Sequence, residues 1–494
     1  MADEEGIRAR LSAILEGDSD PKLEAELPFA TMMITLMAAS GITPYESFKR
    51  MRNVDILKKF KVEGEEIVRL VEVLGQDPLT AMERRAEATI SRQYADFLEG
   101  YISSVKSGGS IINYLVSKLR NIFEEHAAKA QNAIERLETL VEAYMVMLIV
   151  IFCIYILSSV TSPTTGMIGG ELPDITAIVY PLMLVIIPIF SLFFMYLANT
   201  ARPGTLRGMH EPYYIAIGPI ALFAIFFAAT QLLPQFAFIN EFYETPLILS
   251  AGLILTSIPS AISYNRIARR NFSAENAMPS LLRDVTEARR TGLSPEKAIV
   301  HAAGRRGYGP FTADLKRIIN QIEWGVSLRK IYEDLASWIK SWTVVVNFFI
   351  LVETIEIGGG NAETLSLLAE YSEKTQTVNK SQKDMLMPYI ILPFVWTILM
   401  VFTVTFTTQT LNSIPSMALG AFGSPGMVGG VTESSGLLEA SIMFHSWLSG
   451  FFIGKVSEGN FASGFKYAAL LTLTAYLTLI GSRVLVTTLV GGLL

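Results

Sequence analysis

The chain has 494 residues, 40 lysines and arginines against 46 aspartates and glutamates for a net charge of −6, and a hydrophobic content of 51%. The negative balance, with no clustered basic face for phosphates, excludes a nucleic-acid binder. The single cysteine excludes an intrachain disulfide. The charged start, with Asp3, Glu4, Glu5, Arg8 and Arg10, is not a secretory signal peptide. Apolar residues are gathered into runs of about 18 or more, enough to cross a hydrocarbon core of roughly 30 Å. The fold class expected is an all-α polytopic membrane protein.

In chain order, residues 1–26 form an acidic tail or a short surface helix. From Leu27 the pattern turns helical: Phe29, Met32, Met33, Leu36 and Met37 fall on one face by their three- and four-residue spacing. Gly41-Ile-Thr-Pro44 closes that helix, since glycine takes the left-handed position and proline forbids continuation. Asp77-Pro78 opens another helix as N-cap and first helical residue. From Ile111 a helix without a breaker runs through His126 and Arg136 into the first membrane span, or breaks in two near Leu140.

Seven spans are expected: 144–160, 175–197, 213–233, 246–264, 387–407, 437–454 and 467–490. Cys153 in the first is read as a small buried apolar side chain. Pro181, Pro188 and Pro219 are read as kinks within spans. Connections 161–174, 234–245 and 408–436 carry no lysine or arginine. The opposite side carries Arg202, Arg207, Arg266, Arg269, Arg270, Lys455 and Lys466. The positive-inside rule then puts the N-terminus and both polar blocks in the cytoplasm and the C-terminus outside. Loop 408–436, rich in Gly and Ser, is expected to be irregular and mobile. The domains expected are a tail (1–26), a first cytoplasmic block (27–143), four spans (144–264), a second block (265–386), span five (387–407), the loop (408–436) and two final spans (437–494).

The two blocks are copies of one another. Leu27-Pro28, Gly41, Phe60 and Gly108-Gly109 recur as Met278-Pro279, Gly292, Phe311 and Gly359-Gly360, each 251 positions later. Leu27-Pro28…Gly41-Ile-Thr-Pro44-Tyr-Glu-Ser-Phe48 and Met278-Pro279…Gly292-Leu-Ser-Pro295-Glu-Lys-Ala-Ile299 resemble the type II secretion F-domain family. Trp324-Gly325-Val-Ser-Leu328 and Glu353-Thr-Ile-Glu356-Ile-Gly358-Gly-Gly-Asn361-Ala-Glu-Thr-Leu365 share in the likeness, which covers about half the chain. The resemblance implies an inner-membrane platform at the base of a filament, working as a homo-oligomer, with a dimer favoured. It implies a cytoplasmic hexameric secretion ATPase and pilin- or archaellin-like subunits as partners, with no hydrolysis by the platform itself. Bacterial members typically have three spans. The extra spans here look like the archaeal platforms of the archaellum and type IV pili. The family's glycine-glutamate near the block's end is replaced by Ile357-Gly358-Gly359-Gly360, so that glutamate is not carried over.

No site for catalysis, metal or cofactor is expected. Gly450-Phe-Phe-Ile-Gly454-Lys455 has the wrong spacing for a phosphate loop. The histidines His126, His210, His301 and His445 lack paired ligand spacing, and no nucleophile elbow is present. Candidate ATPase contacts are Arg289-Arg290, Arg305-Arg306, Lys316-Arg317 and Arg329-Lys330, which are either a docking rim or a solvated surface. Gly41, Pro44, Gly292 and Pro295 mark turns. Gly358, Gly359 and Gly360 mark a hinge or a plain capping turn. Glu439 and Arg483 fall at similar depth and either pair or snorkel separately. His445 near mid-span is hydrogen-bonded in the bundle or lies on a subunit path. Rival readings are a secondary transporter, disfavoured because the duplicated unit is the polar block rather than the spans, and a membrane-anchored scaffold.

Overall fold

A computed structural model describes residues 20–165, 185–201, 209–232, 244–358, 360–413 and 426–491. All regular structure among them is helical. In chain order the first copy holds α1 (Pro21–Ala39), α2 (Pro44–Met51), α3 (Lys58–Val68), a π-helical turn (Arg69–Val73), α4 (Pro78–Ala88), α5 (Arg92–Lys106) and α6 (Ile111–Thr165). Next come α7 (Ile187–Ala201) and α8 (Glu211–Leu232). The second copy follows as α9 (Thr245–Arg290), α10 (Pro295–Ala303), α11 (Thr312–Glu323), α12 (Leu328–Trp338), α13 (Trp342–Gly358) and α14 (Ala362–Ser413). The chain closes with α15 (Gly426–Glu458) and α16 (Gly464–Gly491).

Local chemistry sets these boundaries. The Asp20 carboxylate accepts from the amides of Lys22 (3.1 Å) and Leu23 (3.2 Å), capping α1. That start corrects the expected tail: α1 begins at Pro21 and buries Leu23, because the N-cap and proline lie upstream of the apolar stripe. Asp77 caps α4 through the Leu79 amide, and Thr43 caps α2 through Glu46. Both are followed by proline at the first helical position. α6 runs unbroken past Leu140.

The chain divides into two units, one of residues 1–131 with 270–380, the other of 132–269 with 381–494. Their boundaries fall inside α6, α9 and α14, so no loop marks the passage expected at 264–265.

In the first unit one apolar cluster contains both copies, from Leu23 and Phe48 through Phe97 to Phe311, Phe348 and Tyr371. The copies share a single core rather than folding around two. Phe29 meets Trp342 edge-on at 4.5 Å between ring centroids, and Phe123 stacks on Tyr371 at 4.6 Å. The register between copies is not constant. Left-handed glycines recur as Gly41 and Gly292, Gly75 and Gly325, Gly108 and Gly360. Gly75 lies one residue farther from Phe60 than Gly325 lies from Phe311. The π-helical turn in the first copy accommodates that extra residue, as π-bulges do. α13, with 17 residues against 15 in α5, then carries the offset from 250 (325 − 75) to 252 (360 − 108), so the left-handed Gly108 answers to Gly360 and not to Gly359.

In the second unit, four helices among the described residues are long and apolar enough to cross a membrane: those within Glu211–Thr230, Thr245–Arg290, Ala362–Gln409 and Phe461–Thr488. Exposed side chains on them are large and apolar, including Leu222, Ile225, Leu255, Ile391 and Leu477, as lipid contact requires. Cys153 is exposed rather than buried; on a lipid-facing helix surface an apolar thiol gains nothing from the protein core. Pro188 is the second residue of α7 and follows the π-helical residues 185–186 without a break, and Pro219 lies inside α8. Pro181 falls outside the described residues. Loop 408–436 is also corrected: α14 reaches Ser413 and α15 begins at Gly426, and 414–425 lies outside the described residues.

α15 and α16 form a hairpin in which Gly450 and Gly454 face Ala468 and Gly464. A Cβ on Gly450 would lie 2.2 Å from the Ala468 nitrogen, and one on Gly454 2.3 Å from that of Gly464. Four-residue spacing of small residues lets two membrane helices touch backbone to backbone, which is what Gly450-Phe-Phe-Ile-Gly454 does here.

Candidate docking and coupling sites

The basic residues singled out in the second copy are mostly engaged within it. Arg289 donates from Nε to the Gly360 carbonyl (2.8 Å) and from Nη1 to the Leu293 carbonyl. It therefore ties the turn after α9 to the turn before α14. Arg290 pairs with Glu287, Arg305 with Asp284, and Lys330 with Glu333 and Asp334. Arg329 pairs with Glu353 and Glu356. Glu353 is buried, and that burial raises its carboxyl pKa against the opposing effect of Arg329. Arg317 lies over the Trp338 ring at 5.6 Å. Among the described residues Arg306 and Lys316 have no ion pair and are exposed. Arg270, expected at the membrane surface, reaches Asp314 with its Nε at 3.0 Å.

The glycine run is held on several sides. Gly358 ends α13 against the first copy: a Cβ there would lie 2.3 Å from the Ser40 Oγ. Gly360 has φ +62 and accepts from Arg289. Gly359 lies outside the described residues. Gly41 and Gly292 have φ +84 and +85, with Pro44 and Pro295 opening the next helices.

One surface feature, read in the sequence only as part of the family likeness, was not among the docking candidates. Trp324, 87% exposed, and Leu74, 58% exposed, each precede the left-handed glycine of the same turn in the two copies. The signal was available: an aromatic next to a turn glycine, on the helix face that carries Lys316 and Asn320.

In the second unit Arg483 joins two carboxylates. Its Nη2 donates to Glu439 (2.5 Å) and its Nη1 to Glu244. Glu439 is 3% exposed. The sequence left Glu439 and Arg483 either paired or snorkelling separately; the structure pairs them and adds Glu244, the residue just before α9, which the sequence reading missed. His445 is buried, with Nε2 at 3.4 Å from the Ser449 Oγ, which in turn lies 2.8 Å from the Tyr144 hydroxyl. Among the described residues no cluster of His, Cys, Asp or Glu could hold a metal ion.

Residues 29–158 and 281–408, together just over half of the chain, match the family described as type II secretion system (T2SS), protein F. A curated relative, the uncharacterized protein MJ1286 of Methanocaldococcus jannaschii, is 23% identical over 493 residues, spanning 94% of this chain and 80% of its own. No solved structure matches. The two matched segments coincide with the two copies, and the chain belongs to the type II secretion system protein F family.

Proposed function

We propose that this chain is the membrane platform of an archaellum or archaeal type IV pilus. On this reading its paired helical block stands in the cytoplasm, docks a hexameric secretion ATPase, and passes that motor's cycle to pilin- or archaellin-like subunits in the membrane. The observation that carries the reading is the shared core of the two copies, from which α6, α9 and α14 continue as unbroken helices into the apolar unit. A displacement applied to one small block reaches three helices at once, because packed interiors transmit strain rather than absorb it. The seven-span count, the cytoplasmic N-terminus, the outward C-terminus and the homodimer belong to the same proposal. Docking falls to the residues not consumed by internal pairs: Arg306, Lys316 and the turn at Trp324. An exposed aromatic on the helix face that carries Lys316 suits an acidic, partly apolar partner surface.

The test is the triple variant Arg306→Glu, Lys316→Glu, Trp324→Ser. Filaments are expected to be lost while membrane insertion and folding are kept, and co-purification with the ATPase should fall in a salt-dependent manner. Undiminished ATPase binding by that variant would reject the docking surface. Residues 280–380 reached by an impermeant label from outside the cell would reject the platform reading itself.

A further inference from the structure

We propose that the groove between α8, α9 and α15 binds a cationic amphiphile, its hydrocarbon chain lying in the groove and its ammonium head at the carboxylates gathered around Arg483. The groove encloses about 360 Å³ and is lined by Phe223, Leu249, Leu253, Phe444 and Trp447. That volume is in the range of small-molecule sites and far below what a helix about 10–12 Å across would fill. Phe223 can approach α9 closely because residue 252 is glycine; a Cβ there would sit 1.8 Å from its ring. At one end the lining residues Thr245 and Ala440 directly follow Glu244 and Glu439 in the chain.

Two carboxylates there share one guanidinium, leaving one net negative charge at the edge of an apolar slot. An uncompensated charge against hydrocarbon is costly, and a cation relieves it where an anionic headgroup would be repelled. The inference does not depend on the platform reading.

The experiment places the full-length chain in nanodiscs of phosphatidylglycerol carrying a few per cent of a guest lipid with brominated chains. The guest is either an ester-linked trimethylammonium lipid or phosphatidylglycerol itself. Quenching that disappears in Trp447→Phe reports the groove. The cationic guest should quench at about fivefold lower mole fraction than the anionic one, what one charge near a membrane surface is worth. Glu244→Gln, at a largely exposed side chain, should remove that preference, and Ala224→Leu should weaken quenching by both guests. Equal quenching by both guests, or a preference that survives Glu244→Gln, overturns the proposal. In a Cys153→Ser background, a photocrosslinker at Ser441→Cys that captures a second polypeptide rather than lipid would assign the groove to a protein helix and overturn it too.

Discussion

The two copies of the helical block follow one plan and differ most at the fifth helix. α5 of the first copy is amphipathic: Tyr94, Phe97, Leu98 and Tyr101 are buried while Asp96 and Glu99 face solvent. In α13 of the second copy the same two positions hold Val346 and Phe349, and every residue from Val344 to Ile355 is buried. A helix buried all round needs protein on all sides. The first copy supplies the missing side: α1 packs on α13, with Phe29 against Trp342, whose indole Nε1 donates to the Ile56 carbonyl at 3.4 Å, and with Ser40 against Gly358. Duplication gave the copies a common fold, and divergence of this one helix turned the second copy into the centre around which the first is arranged.

A shared device makes the divergence measurable. In each copy a serine that caps the fifth helix donates to a glutamate of the first helix: Ser91 to Glu24, Ser341 to Glu275. Glu24 also takes a bridge from Lys129. The corresponding Lys380 makes no ion pair with Glu275 among the described residues. Burial raises the Glu275 carboxyl pKa, with the Ser341 hydrogen bond acting in the opposite direction.

Exchanging residues between copies tests this comparison. The largest effect is expected of Val346→Asp, the first copy's residue placed in the second. It buries a charge with no partner, a penalty of several kcal/mol set against a typical domain stability of about 5–15 kcal/mol. Asp96→Val, the reverse exchange at an exposed site, should stay within about 0.5 kcal/mol. Detergent-solubilised full-length chain followed by denaturant titration compares the two, and equal losses would reject the asymmetry.

Arg289→Ala should cost about 1.5–3 kcal/mol, the worth of hydrogen bonds from a charged donor, and should raise hydrogen exchange at residues 361–365. Arg289→Lys should fail to restore protection, because an ammonium cannot reproduce the fork across two turns. Full protection in the lysine variant would mean that only the charge matters.

Gly358→Ala should cost about 1–3 kcal/mol by overpacking against Ser40, and Ser40→Gly should return most of it. Ser107→Ala, at the turn that ends the first copy's fifth helix, should be nearly silent. A Gly358→Ala protein as stable as wild type would remove this contact between the copies.

The smallest effect is a pH dependence. Because the folded-state pKa of Glu275 is raised, the folded chain holds its proton more tightly than the unfolded chain does. Stability at this site is therefore fully present below the unfolded pKa and declines as pH rises from the unfolded to the folded value. Glu275→Gln should flatten that part of the melting-temperature profile between mildly acid and neutral pH. Glu24→Gln should instead lose a bridge whose contribution shrinks with added salt. Identical profiles for wild type and Glu275→Gln would show that the carboxyl is not perturbed.

Much of this was written locally and could be read. Helix starts at Pro44, Pro78 and Pro295, the turns at Gly41 and Gly292, and the unbroken α6 follow from capping residues and breakers acting within a few positions. The docking candidates were harder, because whether Arg289 or Arg329 is free depends on carbonyls and carboxylates tens of residues away. Glu244 escaped notice for the same reason: it is separated from Arg483 by 239 positions and joined to it only by packing. Gly450 and Gly454 could have been recognised as a helix-packing pair, since that spacing is itself the signal, but Gly464 and Ala468 had to be seen opposite them.

The sequence by itself determined the all-α membrane class, the duplication and most helix ends, since these follow from residue type and short-range periodicity. Tertiary structure decided that the two copies share one core, that α13 is enclosed on every side, and which charges are spent inside the block. Those outcomes rest on contacts between segments far apart in the chain, where each side chain's environment is set by a partner that its own neighbours do not specify.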